Sequence, residues 1–215
     1  MLDKKGTKHR DMIIILLIIV GVIIFTLQRF YVQSLEKKQN VYLNDQKEVT
    51  TCDLDYIMEY KNLYMGNASN LGNLFRRLPL SVSIKDFQLF PNELTAQVNF
   101  NDSGLNVGKA SLENKSNEVV GTVEETVEDI NAIYQNEVNK SLSYNSIAAF
   151  ALIDNLEGII YKFTDITYTV TRDDIEAIYG NLDIKLEKET WNKVIRDPFG
   201  DTEYIKELAE KILKH

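Results

Sequence analysis

The chain is poor in the side chains that most enzymes rely on. Its 215 residues contain one cysteine, Cys52, and two histidines, His9 and His215. A single thiol excludes an intrachain disulfide and any multi-cysteine zinc or iron–sulfur site. Both imidazoles lie beside a terminus, so a Ser–His–Asp or Cys–His relay has no internal histidine to build on. Basic charge is also short: 24 Lys+Arg stand against 32 Asp+Glu, a formal net charge of −8. A protein that neutralises phosphates needs a basic face, so this balance argues against nucleic acid as a partner. There is no internal repeat and no low-complexity tract.

Charge is absent altogether from Met12 to Leu27, MIIILLIIVGVIIFTL. The apolar run continues to Val32 with only Gln28 and Arg29 interrupting it, and at ~1.5 Å per residue the stretch 12–32 matches a bilayer core of about 30 Å. Residues 1–11 carry Lys4, Lys5, Lys8 and Arg10 against Asp3 and Asp11. The positive-inside rule then puts this tail in the cytoplasm and everything after Val32 outside the cell. No small-x-small cleavage site follows the run, so it reads as a retained single-pass anchor in the lipid bilayer rather than a signal peptide. The mean hydropathy of −0.22 therefore averages two unlike regions. Beyond Val32 the chain keeps 19 Lys+Arg and 30 Asp+Glu, and the exported part is distinctly acidic.

Residues 33–59 are polar with scattered apolar positions and read as a stalk; residues 60–215 are long enough for one domain with its own core. The spacing predicts a short helix from Asn67 or Ser69 to the residue before Pro79, with Leu71, Leu74, Phe75 and Leu78 on one face. Alternation of Leu94, Ala96, Val98 and Phe100 after a run from Val82 to Phe90 predicts a hairpin across Pro91-Asn92. Val120, Val123, Val127, Ile130 and Tyr134 share a helical face, with Glu124, Glu125, Glu128 and Asp129 elsewhere. A second, central helix is predicted from near Ser143 to Leu156. A second hairpin follows around Thr164-Asp165, then a helix from Thr171 to Gly180, a short strand at 182–186, a helical segment around Trp191, and a last helix capped by Asp201 or Thr202. This order implies an α+β domain in which antiparallel hairpins pack against helices.

Several stretches, YKNLYMGNASNLGNLFRRLPL, LTAQVNF, SLSYNSIAAFALIDNLEGIIYKF and YTVTRDDIEAIYG, together resemble an uncharacterised family of bacterial domains of unknown function. The resemblance covers about residues 60–180 and implies a Gram-positive source, a single membrane anchor and kinship with domains appended to penicillin-sensor-type membrane metallopeptidases. It brings no catalytic residue with it. The chain has no His-Glu-x-x-His, so a protease partner would be a separate membrane protein.

Individual motifs favour ordinary structure over chemistry. Asp102-Ser103-Gly104 matches the core of an aspartic protease but has turn composition at a strand end. Gly104 to Lys109, GLNVGK, has the wrong glycine spacing for a phosphate loop and is followed by Ala110, so a flexible loop is expected. Asp53-Asp55 and Asn99-Asn101-Asp102-Asn106 offer oxygens to a cation without the register of a calcium loop. Tyr56, Tyr60 and Tyr64 share one possible helix face, which is expected to pack into the core, with an exposed binding surface as the alternative. No cofactor, metal or catalytic set is expected. The expectation is a non-enzymatic, membrane-anchored extracytoplasmic module that binds a membrane protein or a cell-envelope ligand. Its surface is expected at Met65, Gly66, Asn67, Ser69 and Asn70 and at Asn101, Asp102, Asn106 and Lys109. The alternative is a carboxylate-only hydrolase of envelope polymers built on Asp102, Asp154, Asp165 and Asp173/Asp174.

Overall fold

The structure is a computed structural model that describes residues 4–115 and 126–215. Val120, Val123, Glu124 and Glu125 of the expected acidic helix lie outside the described residues. The chain divides into two units, residues 1–43 and 44–215. The first is helix α1, Lys4–Asp45, of which the part from Leu16 is long and apolar enough to cross a membrane. Its apolar side chains, from Leu16 and Leu17 to Phe30 and Val32, are exposed. The Thr26 hydroxyl is satisfied by donating to the Ile23 carbonyl at 2.8 Å. A retained anchor and a signal sequence share these properties.

The second unit begins well before Tyr60. Val49, Cys52, Leu54 and Ile57 are at most 1% exposed and belong to the core. Their polar neighbours hold the segment in place. Gln46 Oε1 accepts the Asp53 N–H at 2.7 Å, and Glu48 pairs with Lys140. Asp53 caps the single-turn α2, Leu54–Ile57, and both Asp53 and Asp55 bind Lys188. The stretch looks like a stalk because its apolar residues are few, yet Val49, Cys52, Leu54 and Ile57 at its end are buried.

Helix α3, Ala68–Arg77, forms as its pattern predicts. Asn67 Oδ1 accepts the Asn70 N–H at 3.2 Å, and Leu71, Leu74 and Phe75 turn inward. The Arg77 guanidinium lies over the rings of Tyr56 and Tyr60, 4.8 and 5.1 Å from their centroids. Of the tyrosine stripe only Tyr60 is fully core, while Tyr64 is 59% exposed.

Both hairpins are present: β1, Ile84–Phe90, with β2, Thr95–Phe100, and β3, Gly158–Lys162, with β4, Thr167–Thr171. Parallel pairing of β2 with β3 joins them into one mixed sheet of order β1-β2-β3-β4. Ala96, Val98, Ile159, Tyr161, Tyr168 and Val170 face the core. The other face carries polar rows in register, such as Asp86, Asn99, Lys162 and Thr167.

The β2–β3 crossover is helical. Gly104–Lys115 forms α4 and Val127–Leu152 forms α5. The expected loop at GLNVGK is thus the start of a helix, for two reasons. Its N-terminal N–H groups are satisfied, Gly104 by Asp165 Oδ1 at 3.0 Å and Asn106 by Ser103 Oγ at 3.3 Å. Gly108 is needed for packing rather than flexibility, because a Cβ there would stand 2.3 Å from the Tyr134 carbonyl oxygen of α5. The two helices expected around Tyr134 and Ser143 are one. The polar residues between them are accommodated, with buried Glu137 accepting from Ser111 and Ser141 at 3.3 Å each.

After the sheet come α6, Arg172–Tyr179, capped by Thr171 and ended by Gly180 at φ 70°, and α7, Lys188–Trp191, running into irregular helical turns. Helix α8, Thr202–Ile212, is capped by Asp201. Residues 183–185 make a 3-10 turn where a strand is expected. Among the described residues the domain is α+β, with eight helices in the chain and a four-stranded mixed sheet.

Candidate functional site

The sequence-predicted surface falls into two groups that no hydrogen bond or ion pair among the described residues connects. Met65 is only 1% exposed and its N–H donates to Asn155 Oδ1 at 2.8 Å, while Gly66, Asn67 and Ser69 are exposed beside it. Asn67 and Asn70 serve the start of α3. In the second group the Asn101 N–H donates to the Ser83 carbonyl at 3.0 Å. Asp102 Oδ1 accepts from the Ser103 N–H at 2.8 Å and from Asn106 Nδ2 at 3.0 Å. These hydrogen bonds, the Asn106 one first, hold the Asp102 carboxyl below the usual aspartate range. Lys109 lies one turn from Glu113, with nitrogen and oxygen 3.9 Å apart. Asn67 in the first group and Asp102 in the second thus serve helix starts.

Of the other carboxylates singled out above, Asp154 and Asp173 are exposed, while Asp165 and Asp174 are engaged. Asp165 caps α4. Asp174 takes Lys214 Nζ at 2.7 Å on each oxygen and closes the Thr171 cap. Burial alone would raise the Asp174 carboxyl; the bonds from Lys214 and Thr171 outweigh it and hold the group low. Asp53 behaves in the same way, with Lys188 opposing its burial. Ser34 to Lys37 has the Ser-x-x-Lys spacing of an acylated serine, but it lies on exposed α1.

A concave site exists elsewhere. A cleft of about 670 Å³ is bounded by α5, α8, the start of β4 and the residues after α8. Helix α5 contributes Gln135, Asn136 and Asn139, and α8 contributes Thr202, Lys206 and Glu210. Gln135 organises the polar wall, its Nε2 donating to Asn139 Oδ1 at 2.9 Å and to Tyr168 Oη at 3.0 Å. Tyr168 is 3% exposed, its ring edge-on to Phe163 and 4.8 Å from the His215 ring. Burial pushes its phenol up, opposed in part by the Gln135 bond, so it is a protonated donor at neutral pH. Residues after α8 complete the rim, because Lys214 exchanges backbone hydrogen bonds of 2.7 and 3.0 Å with Thr169 at the β4 edge. Such a wall presents donors and acceptors already fixed by one another, which is how a site binds with little ordering cost.

Sequence reasoning missed every residue of this cleft. The available signal was the amide stripe Gln135, Asn136 and Asn139, one turn apart on α5. It becomes visible only when α5 is read as a single helix.

Among the described residues, no group of three or more His, Cys, Asp or Glu is placed to hold a metal ion. No curated protein and no solved structure matches the chain. A family model does, over residues 57–174, which is more than half of the chain and spans α3 to the first turn of α6. The chain therefore belongs to the family described as domain of unknown function DUF4825.

Proposed function

We propose that the protein is a single-pass membrane protein whose C-terminal domain lies outside the cell. There it acts without catalysis as a ligand- or protein-binding accessory or sensor module. The carrying observation is the cleft between α5 and α8, where Gln135, Asn139 and Tyr168 are fixed by mutual hydrogen bonds beside the charges of α8. The long apolar stretch of α1 and the basic residues that precede that stretch support the placement. The hydrolase alternative needs two carboxylates facing one cleft. Glu210 is the single acidic side chain among the lining residues, and Asp102, Asp165 and Asp174 are occupied as caps or ion partners.

Two measurements test this. Cys52 is the only cysteine and is buried, so an Asn101→Cys variant gives one accessible thiol. A membrane-impermeant maleimide should label it in intact cells, and labelling only after lysis would overturn the orientation. In-cell crosslinking of the full chain should yield a specific adduct that is lost when Asn139 and Lys206 are both changed to Ala with the melting temperature kept. An unchanged adduct would remove the cleft from the binding surface.

A further inference from the structure

The chemistry of the cleft narrows what it can hold. Tyr168 Oη and Asn139 Oδ1 both accept from Gln135. That leaves the tyrosine hydrogen and the asparagine amide hydrogens as donors for a ligand oxygen. Lys206 and Glu210 stand on the opposite wall, one helical turn apart. Among the described residues neither is in an ion pair, although the adjacent Glu207 and Lys211 approach to 3.9 Å. The cleft thus presents one cation and one anion that are not spent on each other. The lining also includes Ala132, Ile166, Ala209 and Leu213, apolar surface for a small side chain.

Resting on the reading of this cleft as a binding site, we propose that its ligand is a zwitterion of the amino-acid class, either a free amino acid or a short peptide with free ends. Its carboxylate is held by Lys206 with Tyr168 and Asn139, and its ammonium by Glu210. A dianion would meet Glu210 as a repulsive neighbour. A neutral polyol would make use of neither charge. The volume suits such a ligand, since small-molecule sites span roughly 300–1,000 Å³.

The test is calorimetric titration of the full chain in detergent micelles with L-alanyl-L-alanine, its N-acetyl and C-amide derivatives, free L-alanine and N-acetylglucosamine. The free dipeptide should bind, and capping either end should weaken binding about tenfold, the effect of losing one charge-assisted contact. Lys206→Gln should abolish the difference between acid and amide, and Glu210→Gln the difference between amine and N-acetyl. These side chains are exposed, so both variants should keep the melting temperature. Equal binding of alanine and dipeptide assigns the site to amino acids, and binding of the dipeptide alone assigns it to peptide ends. If the doubly capped dipeptide binds as tightly as the free one, the zwitterion assignment is overturned. If only the sugar binds, and Asn139→Ala weakens it, the cleft stands as a binding site and the ligand class does not. If no probe binds and the crosslinked adduct survives the cleft substitutions, both readings fail.

Discussion

Helix α5 is one continuous element whose two halves behave as different materials. From Val127 to Asn136 every side chain is exposed or half-buried, and Gln135 and Asn136 border the cleft. From Ser141 to Leu152 every side chain is buried, including Ser141, Ser143, Asn145 and Ser146. The second half is the axis of the core. It meets Tyr161 of the sheet through Ser146 and the Trp191 cluster through Tyr144. Its end is clamped by Arg172, which donates to the carbonyls of Ile153 and Leu156 at 2.7 and 2.8 Å. Helical conformation is common to both halves, so what separates them is the neighbourhood. A rigid, buried half is what allows the other half to present amides in fixed positions.

The comparison breaks most visibly at Phe150, which is 1% exposed with the Arg172 guanidinium 5.4 Å above its ring. Phe150→Ala in the buried half should cost about 3–5 kcal/mol, read as a fall in the urea midpoint. Asn139→Ala, at the boundary between the halves, should cost under about 1 kcal/mol while removing cleft binding. Equal costs would show that the halves do not differ as described.

Gly108 tests how the exposed half is held. Its missing Cβ lets α4 approach the Tyr134 carbonyl, and the same methyl group would also meet Val138 Cγ2 at 3.1 Å. Gly108→Ala forces the helices apart and should destabilise by about 1–3 kcal/mol, against the usual gain from replacing glycine in a helix. A more stable variant would mean that α4 and α5 separate without penalty.

Much of this fold is legible in the residues. The caps at Asn67, Thr171 and Asp201, the hairpins and the apolar stripe of α8 all appear where side-chain period and turn chemistry put them. The failures share a cause, which is polar residues resolved by partners distant in sequence. Gln46 and Glu48 look solvated until Asp53 and Lys140 are seen beside them. Glu137 looks like a solvated acid until Ser111 and Ser141 are seen to donate to it. Gly104 and Gly108 look like loop residues until the carboxylate of Asp165 and the carbonyl of Tyr134 supply the reasons for them. The cleft was illegible for a further reason: it needs α5, α8 and β4 together, and no local pattern announces a concavity.

The rim of the cleft has its own pH dependence. Asp174 is held below the usual aspartate range by Lys214 and Thr171 against the opposing effect of burial. A carboxyl depressed in the folded state stabilises above its unfolded pKa and loses that contribution as pH falls through the folded value. The hydrogen bonds between Thr169 and Lys214 should therefore be fully protected at neutral pH and open in acid, below the ordinary aspartate range. Amide exchange at Thr169 measures this, with Asp174→Asn expected to give the open behaviour at all pH values. The buried half of α5 should keep its protection throughout, and joint loss of the two would couple the rim to the core.

The smallest effect gives the sharpest test of what burial means in the second half. Ser146 and Ser143 are both 0% exposed and one turn apart. Ser146 Oγ donates to the Leu142 carbonyl at 2.8 Å and lies 3.0 Å from Tyr161 Oη, whereas Ser143 Oγ has no partner among the described residues. Changing Ser146 to Ala strands the fully buried Tyr161 hydroxyl and should cost about 1–3 kcal/mol. The same change at Ser143 removes an unsatisfied group and adds a little apolar surface, so it should be neutral or stabilising by up to about 1 kcal/mol. Chemical denaturation of the two variants side by side decides it, because volume and helix propensity change identically in both. If both lose stability equally, then Ser143 has a bonding partner and the buried half of α5 is more fully hydrogen-bonded than its neighbours indicate.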